Sequence, residues 1–176
     1  CAAPDCHHAP PPFPPHRLSD LFGRSCPGSK SAAATDISEA VAAAQHMYPC
    51  IDADRMALAG FSMGGSGTYH LAAHRPDQWA VAHAGAAFAE TYHYTKGGGA
   101  SGGANDQIGA PWYEKVLWGL YDTPCYARSL CSNIPFVGYN GADDTSTYPQ
   151  STSIMEAAFA EHGARMELIL APHTPH

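Results

Sequence analysis

The chain has 176 residues, enough for one domain with a buried core and too few for two domains of ordinary size. Charged residues make up only 14% of the chain and apolar residues 45%, which excludes a highly charged disordered protein. The net charge of −7 and the scattered basic residues exclude a protein that binds the phosphate backbone of a nucleic acid. No apolar run approaches the roughly 18 residues that a membrane-spanning helix needs, so no membrane partner is predicted.

The first segment, residues 1–34, is rich in Pro, Ser, His and Cys and lacks helical or strand periodicity. We predict that it is a disordered or unassigned lead-in and that one domain occupies residues 35–176. Seven of the 15 prolines lie within the first 27 residues and favour an extended chain there. For this reason neither a metal nor another cofactor is predicted, although the segment contains side chains of the types that ligate metals: Cys1, Cys6, His7, His8 and His16.

The remaining cysteines leave the redox state open. Cys125 and Cys131 are close enough in sequence to form a disulfide, and a reduced, buried pair is an equally good interpretation. The cellular location also stays open, an extracytoplasmic one included, and so does the oligomeric state.

The first predicted helix spans residues 36–48. Asp36 followed by Glu39 has the pattern of a capping box, apolar residues recur on one helical face, and Pro49 ends the helix. The short apolar run 55–59 then predicts a buried strand. This strand leads directly into the segment Gly60-Phe61-Ser62-Met63-Gly64-Gly65.

Helices and strands continue to alternate after this segment. We predict a helix over 65–74, a strand over 79–84, a long excursion over 87–130, a strand over 135–139, a helix over 150–162 and a strand over 166–170. The alternation indicates an α/β fold with a mostly parallel sheet covered by helices on both faces. Ligand chemistry in such a fold belongs at the carboxyl ends of the strands.

Residues Gly60 to Gly64 match the pattern G-x-S-x-G, in which a serine lies on a sharp turn between a strand and a helix. The pattern alone is weak, but here a predicted strand precedes it and a predicted helix follows it. Ser62 is therefore the candidate nucleophile. The backbone N–H of Met63, the next residue, is the candidate donor to the oxyanion of the reaction.

A nucleophilic serine needs a base to accept its proton, and the base needs an acid to orient it. Asp144 follows the third predicted strand and His176 the fourth, in the order that such an arrangement uses in α/β hydrolases. Asp143 competes with Asp144 as the acid, and His173 competes with His176 as the base.

From about residue 33 to its end the chain resembles the catalytic domain of prolyl-oligopeptidase-like serine hydrolases, a branch of the α/β-hydrolase superfamily. The resemblance rests on the strand and turn of residues 51–65, on Asp77-Gln78-Trp79-Ala80, on Gly141-Ala142-Asp143-Asp144 and on Pro172-His173-Thr174-Pro175-His176. It favours Asp144 as the acid and His176 as the base. Few residues precede Ser62 compared with the family, so the resemblance implies a fragment that lacks the N-terminal strands and the loop with the second oxyanion donor.

The resemblance implies a serine hydrolase that cleaves peptide or ester bonds through an acyl-enzyme, with a serine peptidase favoured. A carboxylesterase acting on acylated carbohydrate or small esters is one alternative, and a catalytically inactive binding domain of the same fold is another. The excursion resembles an insertion that would form a lid over the substrate. Its aromatic residues Trp112, Tyr113, Trp118 and Tyr121 are the candidates for that lid, and ordinary core packing is the alternative.

Overall fold

A computed structural model describes residues 32–91, 111–130, 134–147 and 149–176. These residues form an α/β fold around four parallel strands. The elements are α1 (Ala32–Met47), β1 (Ala57–Phe61), α2 (Met63–His74), β2 (Val81–Gly85), α3 (Trp112–Trp118), α4 (Ala127–Leu130), β3 (Phe136–Gly141), α5 (Gln150–Glu161) and β4 (Glu167–Ala171). Within the described part of the chain, no helix is long and apolar enough to cross a membrane.

The sheet has the order β1-β2-β3-β4, and every neighbouring pair is parallel. In the register, Phe61 lies beside Gly85, Gly85 beside Tyr139, and Gly141 beside Ala171. Because parallel strands end at the same edge of the sheet, the turns after all four strands meet there. This edge brings together the predicted site residues, which follow β1, β3 and β4.

The main core lies on the face of the sheet against which α2 and α5 pack, and α4 packs against these two helices. Tyr69 of α2 stacks on Phe136 of β3 with ring centroids 5.2 Å apart, and Phe136 meets Phe159 of α5 edge to face. On this face the expected covering by helices is present. On the opposite face, the described residues include several exposed side chains of β1, β2 and β4: Ala57, Ala59, Phe61, Val81, His83 and Ile169.

The boundaries of the elements differ from the predicted ones by one to four residues, and α2 begins at Met63, two residues earlier than predicted. Helix α1 starts at Ala32 instead of residue 36, so Asp36 lies inside the helix and is not its cap. Three of the four residues added are alanines, which have the highest helix propensity, and the fourth is Thr35. Strands β1 and β2 begin two residues later than predicted, because 3₁₀ turns at Ala53–Arg55 and Pro76–Gln78 occupy the chain just before them.

The described residues of the predicted excursion include short helices. Helix α3, a 3₁₀ turn at Thr123–Tyr126 and α4 follow one another between residues 112 and 130. Cys125 is an exposed free thiol, which corrects the interpretation of a bridged or buried Cys125–Cys131 pair. The glycine-rich stretch 97–103 and most of the lead-in, residues 1–31 with its cysteines and histidines, lie outside the described residues.

Candidate active site

The turn between β1 and α2 carries Ser62 in an unusual backbone conformation. Ser62 has φ 55° and ψ −119°, a backbone conformation that residues other than glycine rarely adopt. Its backbone N–H donates to the carbonyl oxygen of Gly85 at 2.9 Å, which fastens the turn to the end of β2. The hydroxyl of Ser62 is thereby presented at the carboxyl edge of the sheet.

Two glycines are required for this turn. A Cβ atom on Gly60 would collide with the carbonyl group of Gly64, and a Cβ atom on Gly65 would collide with the carbonyl oxygen of Gly85. At Gly64, by contrast, a Cβ atom would meet nothing within 4 Å. The close approach of β1, α2 and β2 therefore explains Gly60 of the motif and Gly65 just after it, whereas packing does not explain Gly64.

His176 joins Ser62 to Asp144. The Nε2 atom of His176 lies 2.8 Å from the Oγ atom of Ser62, and its Nδ1 atom lies 2.8 Å from Oδ2 of Asp144. The ring also lies near the ring of Phe61, with centroids 5.1 Å apart. With the proton on Nδ1, the imidazole donates to the carboxylate and offers the Nε2 lone pair to the serine hydroxyl.

The Asp144 carboxylate is buried, with only 2% of the residue exposed, and it is held by hydrogen bonds on both oxygens. Its Oδ1 atom accepts from the backbone N–H groups of Ser146, at 2.8 Å, and Thr147, at 2.9 Å. Its Oδ2 atom accepts from the Thr147 hydroxyl at 2.8 Å and from Nδ2 of Asn140 at 3.3 Å, in addition to His176.

These hydrogen bonds determine the charge of the site. Burial by itself raises the pKa of Asp144, but the backbone N–H of Thr147, His176, the Thr147 hydroxyl and the backbone N–H of Ser146 together hold its pKa below the usual range. Asp144 is therefore an ionised carboxylate at neutral pH. An ionised acid is what the orientation and stabilisation of a protonated histidine require.

The competing residues Asp143 and His173 lie together elsewhere on the surface. The Nδ1 atom of His173 is 4.0 Å from Oδ2 of Asp143, and both side chains are exposed. The structure thus brings Asp144 and His176, and not these two neighbours, into contact with each other next to Ser62.

Met63 is the first residue of α2. Its backbone N–H is one of the four at a helix start that have no acceptor within the helix. Its side chain is exposed, and the group lies directly after the Ser62 turn. This position is compatible with donation to an oxyanion formed at Ser62.

The aromatic residues predicted to form a lid lie in and just after α3. Trp112, Tyr113 and Tyr121 are exposed and Trp118 is half-buried, so this segment is not ordinary core. The segment is tied to the loop that follows β2, because Oδ1 of Asp122 accepts from both the N–H and the hydroxyl of Thr91, at 3.1 and 2.7 Å.

Asn140 and Thr147 were not predicted from the sequence. No motif marks them, and their contacts with Asp144 exist only when β3 and the turn after it are folded. One local signal was available for the backbone part of the site, because Asp side chains often accept from N–H groups two and three residues later in turns. Among the described residues, no group of three or more His, Cys, Asp or Glu side chains is arranged to hold a metal ion.

A sequence model of the prolyl oligopeptidase family matches residues 28–176 of the chain. No curated protein matches the chain. Solved structures that match in fold include a candidate dipeptidyl aminopeptidase IV from Bacteroides ovatus, with 19% identity and a TM-score of 0.67. The acylaminoacyl peptidase of Pyrococcus horikoshii has 15% identity and a TM-score of 0.67, and an acylaminoacyl peptidase in complex with Z-Gly-Gly-Phe-chloromethyl ketone has 16% identity and a TM-score of 0.68.

Each of these three alignments covers 80% of the present chain. The matched region is 19% of the Bacteroides chain and 23% of each of the other two, so the chain spans about a fifth of the length of these structures. At this level of identity the likeness establishes the α/β fold.

Proposed function

Because the chain belongs to the prolyl oligopeptidase family, we propose that it carries the catalytic site of a serine peptidase, with Ser62 as nucleophile, His176 as base and Asp144 as acid. The observation that carries this proposal is the continuous series of hydrogen bonds from Ser62 through His176 to Asp144, 2.8 Å at each step. The same geometry favours an enzyme over the inactive binding domain.

In the proposed reaction, the Ser62 oxygen attacks the carbonyl carbon of a peptide bond while the hydroxyl proton passes to Nε2 of His176. The carbonyl oxygen becomes an oxyanion, to which the backbone N–H of Met63 donates. Collapse of this intermediate breaks the carbon–nitrogen bond, and His176 gives its proton to the departing amine. Asp144 stays ionised throughout and accepts from Nδ1 of the imidazolium.

An acyl-enzyme ester on Ser62 remains after the amine leaves. Water then attacks the ester carbonyl and gives a proton to His176, and the second collapse returns that proton to Ser62 and releases the acid. An ester substrate would follow the same steps with an alcohol as the leaving group. Membership of a peptidase family favours the peptide bond as the natural substrate.

The assignment of Ser62 is tested with a fluorophosphonate probe, which forms a covalent adduct with an activated serine. The parent chain should be labelled at Ser62, and Ser62→Ala should not be labelled. Ser153→Ala is a matched control, because Ser153 is an exposed serine of α5 whose hydroxyl donates to the carbonyl oxygen of Pro149. Labelling that persists in Ser62→Ala, or that maps to another serine, would contradict the proposal.

We further propose that the exposed aromatic residues of α3 contact the substrate beside Ser62. The hydrogen bonds of Asp122 to Thr91 support this, because they hold the segment near the loop after β2. Trp112→Ala should raise the KM for a peptide substrate several-fold with little change in kcat, since such contacts affect binding more than chemistry. Val116→Ala, an exposed change in the same helix outside the proposed set, should leave KM unaltered.

A further inference from the structure

We infer that Thr147 is a positioning residue of this site, whose hydroxyl links the acid to the end of β2, to which the Ser62 turn is hydrogen-bonded. This inference rests on the function proposed above. The Thr147 hydroxyl lies 2.8 Å from Oδ2 of Asp144 and 2.7 Å from the carbonyl oxygen of Ala86. It also lies 3.3 Å from Nδ1 of His176, so one buried hydroxyl contacts three parts of the site.

The hydroxyl has a single proton and two acceptors for it. The Ala86 carbonyl and the ionised Asp144 carboxylate can only accept, so they compete for this proton. When the hydroxyl donates to Asp144, it withdraws part of the negative charge from the oxygen that faces His176. When it donates to Ala86, the full carboxylate charge is available to the imidazolium that forms as Ser62 loses its proton. One hydroxyl therefore lies within hydrogen-bond distance of both acceptors.

The contact with Ala86 gives the same hydroxyl a geometric role. Ala86 directly follows β2, has φ 43°, and donates its N–H to the carbonyl oxygen of Tyr139 at 2.7 Å. The residue before it, Gly85, accepts the N–H of Ser62. Thr147 thus connects Asp144 to the end of β2 that also holds the Ser62 turn.

Two hydrogen bonds that do not involve the hydroxyl hold the backbone of Thr147 in place. Its N–H donates to Oδ1 of Asp144 at 2.9 Å, and its carbonyl oxygen accepts from Nδ2 of Asn140 at 2.9 Å. Thr147 is also buried, with 4% exposed, so its side chain does not face a substrate. Thr147→Val keeps the branched shape and these backbone contacts and replaces the hydroxyl with a methyl group, whereas Thr147→Ser keeps the hydroxyl.

The test measures fluorophosphonate labelling of Ser62 as a function of probe concentration, which separates the maximal labelling rate from the half-saturating concentration. Rates are expressed per folded molecule, with the folded fraction taken from urea unfolding of each variant. We expect Thr147→Val to lower the maximal rate about tenfold, the size of one hydrogen bond to a charged group, with the half-saturating concentration unchanged. Thr147→Ser should restore the rate to within about twofold of the parent.

Thr123→Val is the matched control, because Thr123 is an equally buried threonine outside the site. It should change stability at most and leave the labelling rate of folded molecules unaltered. The inference is overturned if Thr147→Val labels at the parental rate, if only its half-saturating concentration changes, or if Thr147→Ser labels as slowly as Thr147→Val. If the parent is unlabelled, or Ser62→Ala is labelled, the proposed function fails and the inference fails with it.

Discussion

The two sides of the site are held in place by different forces. On the nucleophile side, Ser62 is fixed by its backbone, through a positive φ, the N–H bond to Gly85 and the close approach that Gly60 and Gly65 permit. On the acid side, Asp144 is fixed through its side chain, which accepts five hydrogen bonds in a buried position. The nucleophile side depends on glycines that lack a Cβ atom, and the acid side depends on hydrogen-bond donors to the Asp144 carboxylate.

This difference determines how each side responds to substitution. The nucleophile side should be damaged by adding a methyl group where backbones touch, because nothing there can move aside. The acid side should be damaged by removing or replacing a polar group, because the remaining buried partners lose their hydrogen bonds. His176 belongs to both sides, since it contacts Ser62 with one nitrogen and Asp144 with the other.

The largest expected effect comes from His176. We expect His176→Ala to lower kcat on the order of 10⁶-fold, as measured for the corresponding change in a serine protease, because Ser62 loses its proton acceptor. His173→Ala is the matched control from the same loop and should have no comparable effect. Hydrolysis of a peptide p-nitroanilide or a p-nitrophenyl ester gives kcat. A large loss in His173→Ala with an active His176→Ala would assign the base to His173.

The next effect concerns the acid. Asp144→Asn should lower kcat on the order of 10⁴-fold, because an amide can donate to Nδ1 and thereby favour the tautomer whose Nε2 cannot accept the serine proton. Asp143→Asn should be nearly neutral for kcat, since Asp143 is exposed and faces His173. The same hydrolysis assay measures both variants. If Asp143→Asn is the damaging change and Asp144→Asn the mild one, the assignment of the acid is wrong.

The free energy of unfolding should distinguish Gly60, which the turn requires, from Gly64, which it does not. Gly60→Ala should lower the free energy of unfolding by about 1–3 kcal/mol or more, because its Cβ atom collides with the Gly64 carbonyl group. Gly64→Ala should be neutral or stabilising by up to about 1 kcal/mol, because its Cβ atom meets no neighbour and alanine favours the helix. Urea unfolding followed by circular dichroism measures both changes. Equal losses would mean that close packing does not hold the turn.

The smallest effect is the pH dependence that Asp144 contributes to stability. Its pKa is lower in the folded protein than the value of about 3.9 expected in the unfolded chain, so the unfolded chain binds the proton more tightly. The stabilisation is complete above the unfolded pKa and disappears as the pH falls through the folded pKa. The free energy of unfolding should therefore decrease on acidification in this range.

Asp144→Asn should lack this part of the pH dependence, and Thr147→Val should retain an intermediate part, since it removes one of the hydrogen bonds that lower the pKa. Urea unfolding between about pH 6 and pH 3, the range around an ordinary carboxylate pKa, measures how steeply the free energy of unfolding of each protein depends on pH. The parent should show the steepest dependence, Thr147→Val an intermediate one and Asp144→Asn the shallowest. A parent and an Asp144→Asn variant with identical pH dependence would contradict the low pKa of Asp144.

The same contrast explains what could be predicted from the sequence. The Ser62 turn is marked by a local pattern because its glycines meet backbone atoms only a few residues away or in the next strand. The α/β class and the parallel sheet followed from alternating helices and strands, and the structure confirms both. The catalytic roles of Ser62, Asp144 and His176 and of Met63 stay predictions, although the structure places the three side chains in contact.

Other features could not be predicted from local patterns. The 3₁₀ turns before β1 and β2 moved the starts of these strands by two residues, because apolar periodicity does not distinguish the end of a turn from the start of a strand. Asn140 and Thr147 reach Asp144 only through the folding of β3 and its following turn, and Ala86 reaches Thr147 across 61 residues of chain. Hydrogen bonds of this kind can be made by many residue types, so they leave no motif.

The backbone conformation of Ser62 places catalysis and thermostability in opposition. A residue other than glycine in such a conformation raises the energy of the folded state by about 1–3 kcal/mol, a large share of the roughly 5–15 kcal/mol that stabilises an ordinary domain. Selection for heat resistance alone would favour glycine at this position and eliminate the hydroxyl. Engineering for stability should therefore leave the turn unchanged and act on exposed positions of α1 and α5, which contribute no residue to the proposed catalytic site.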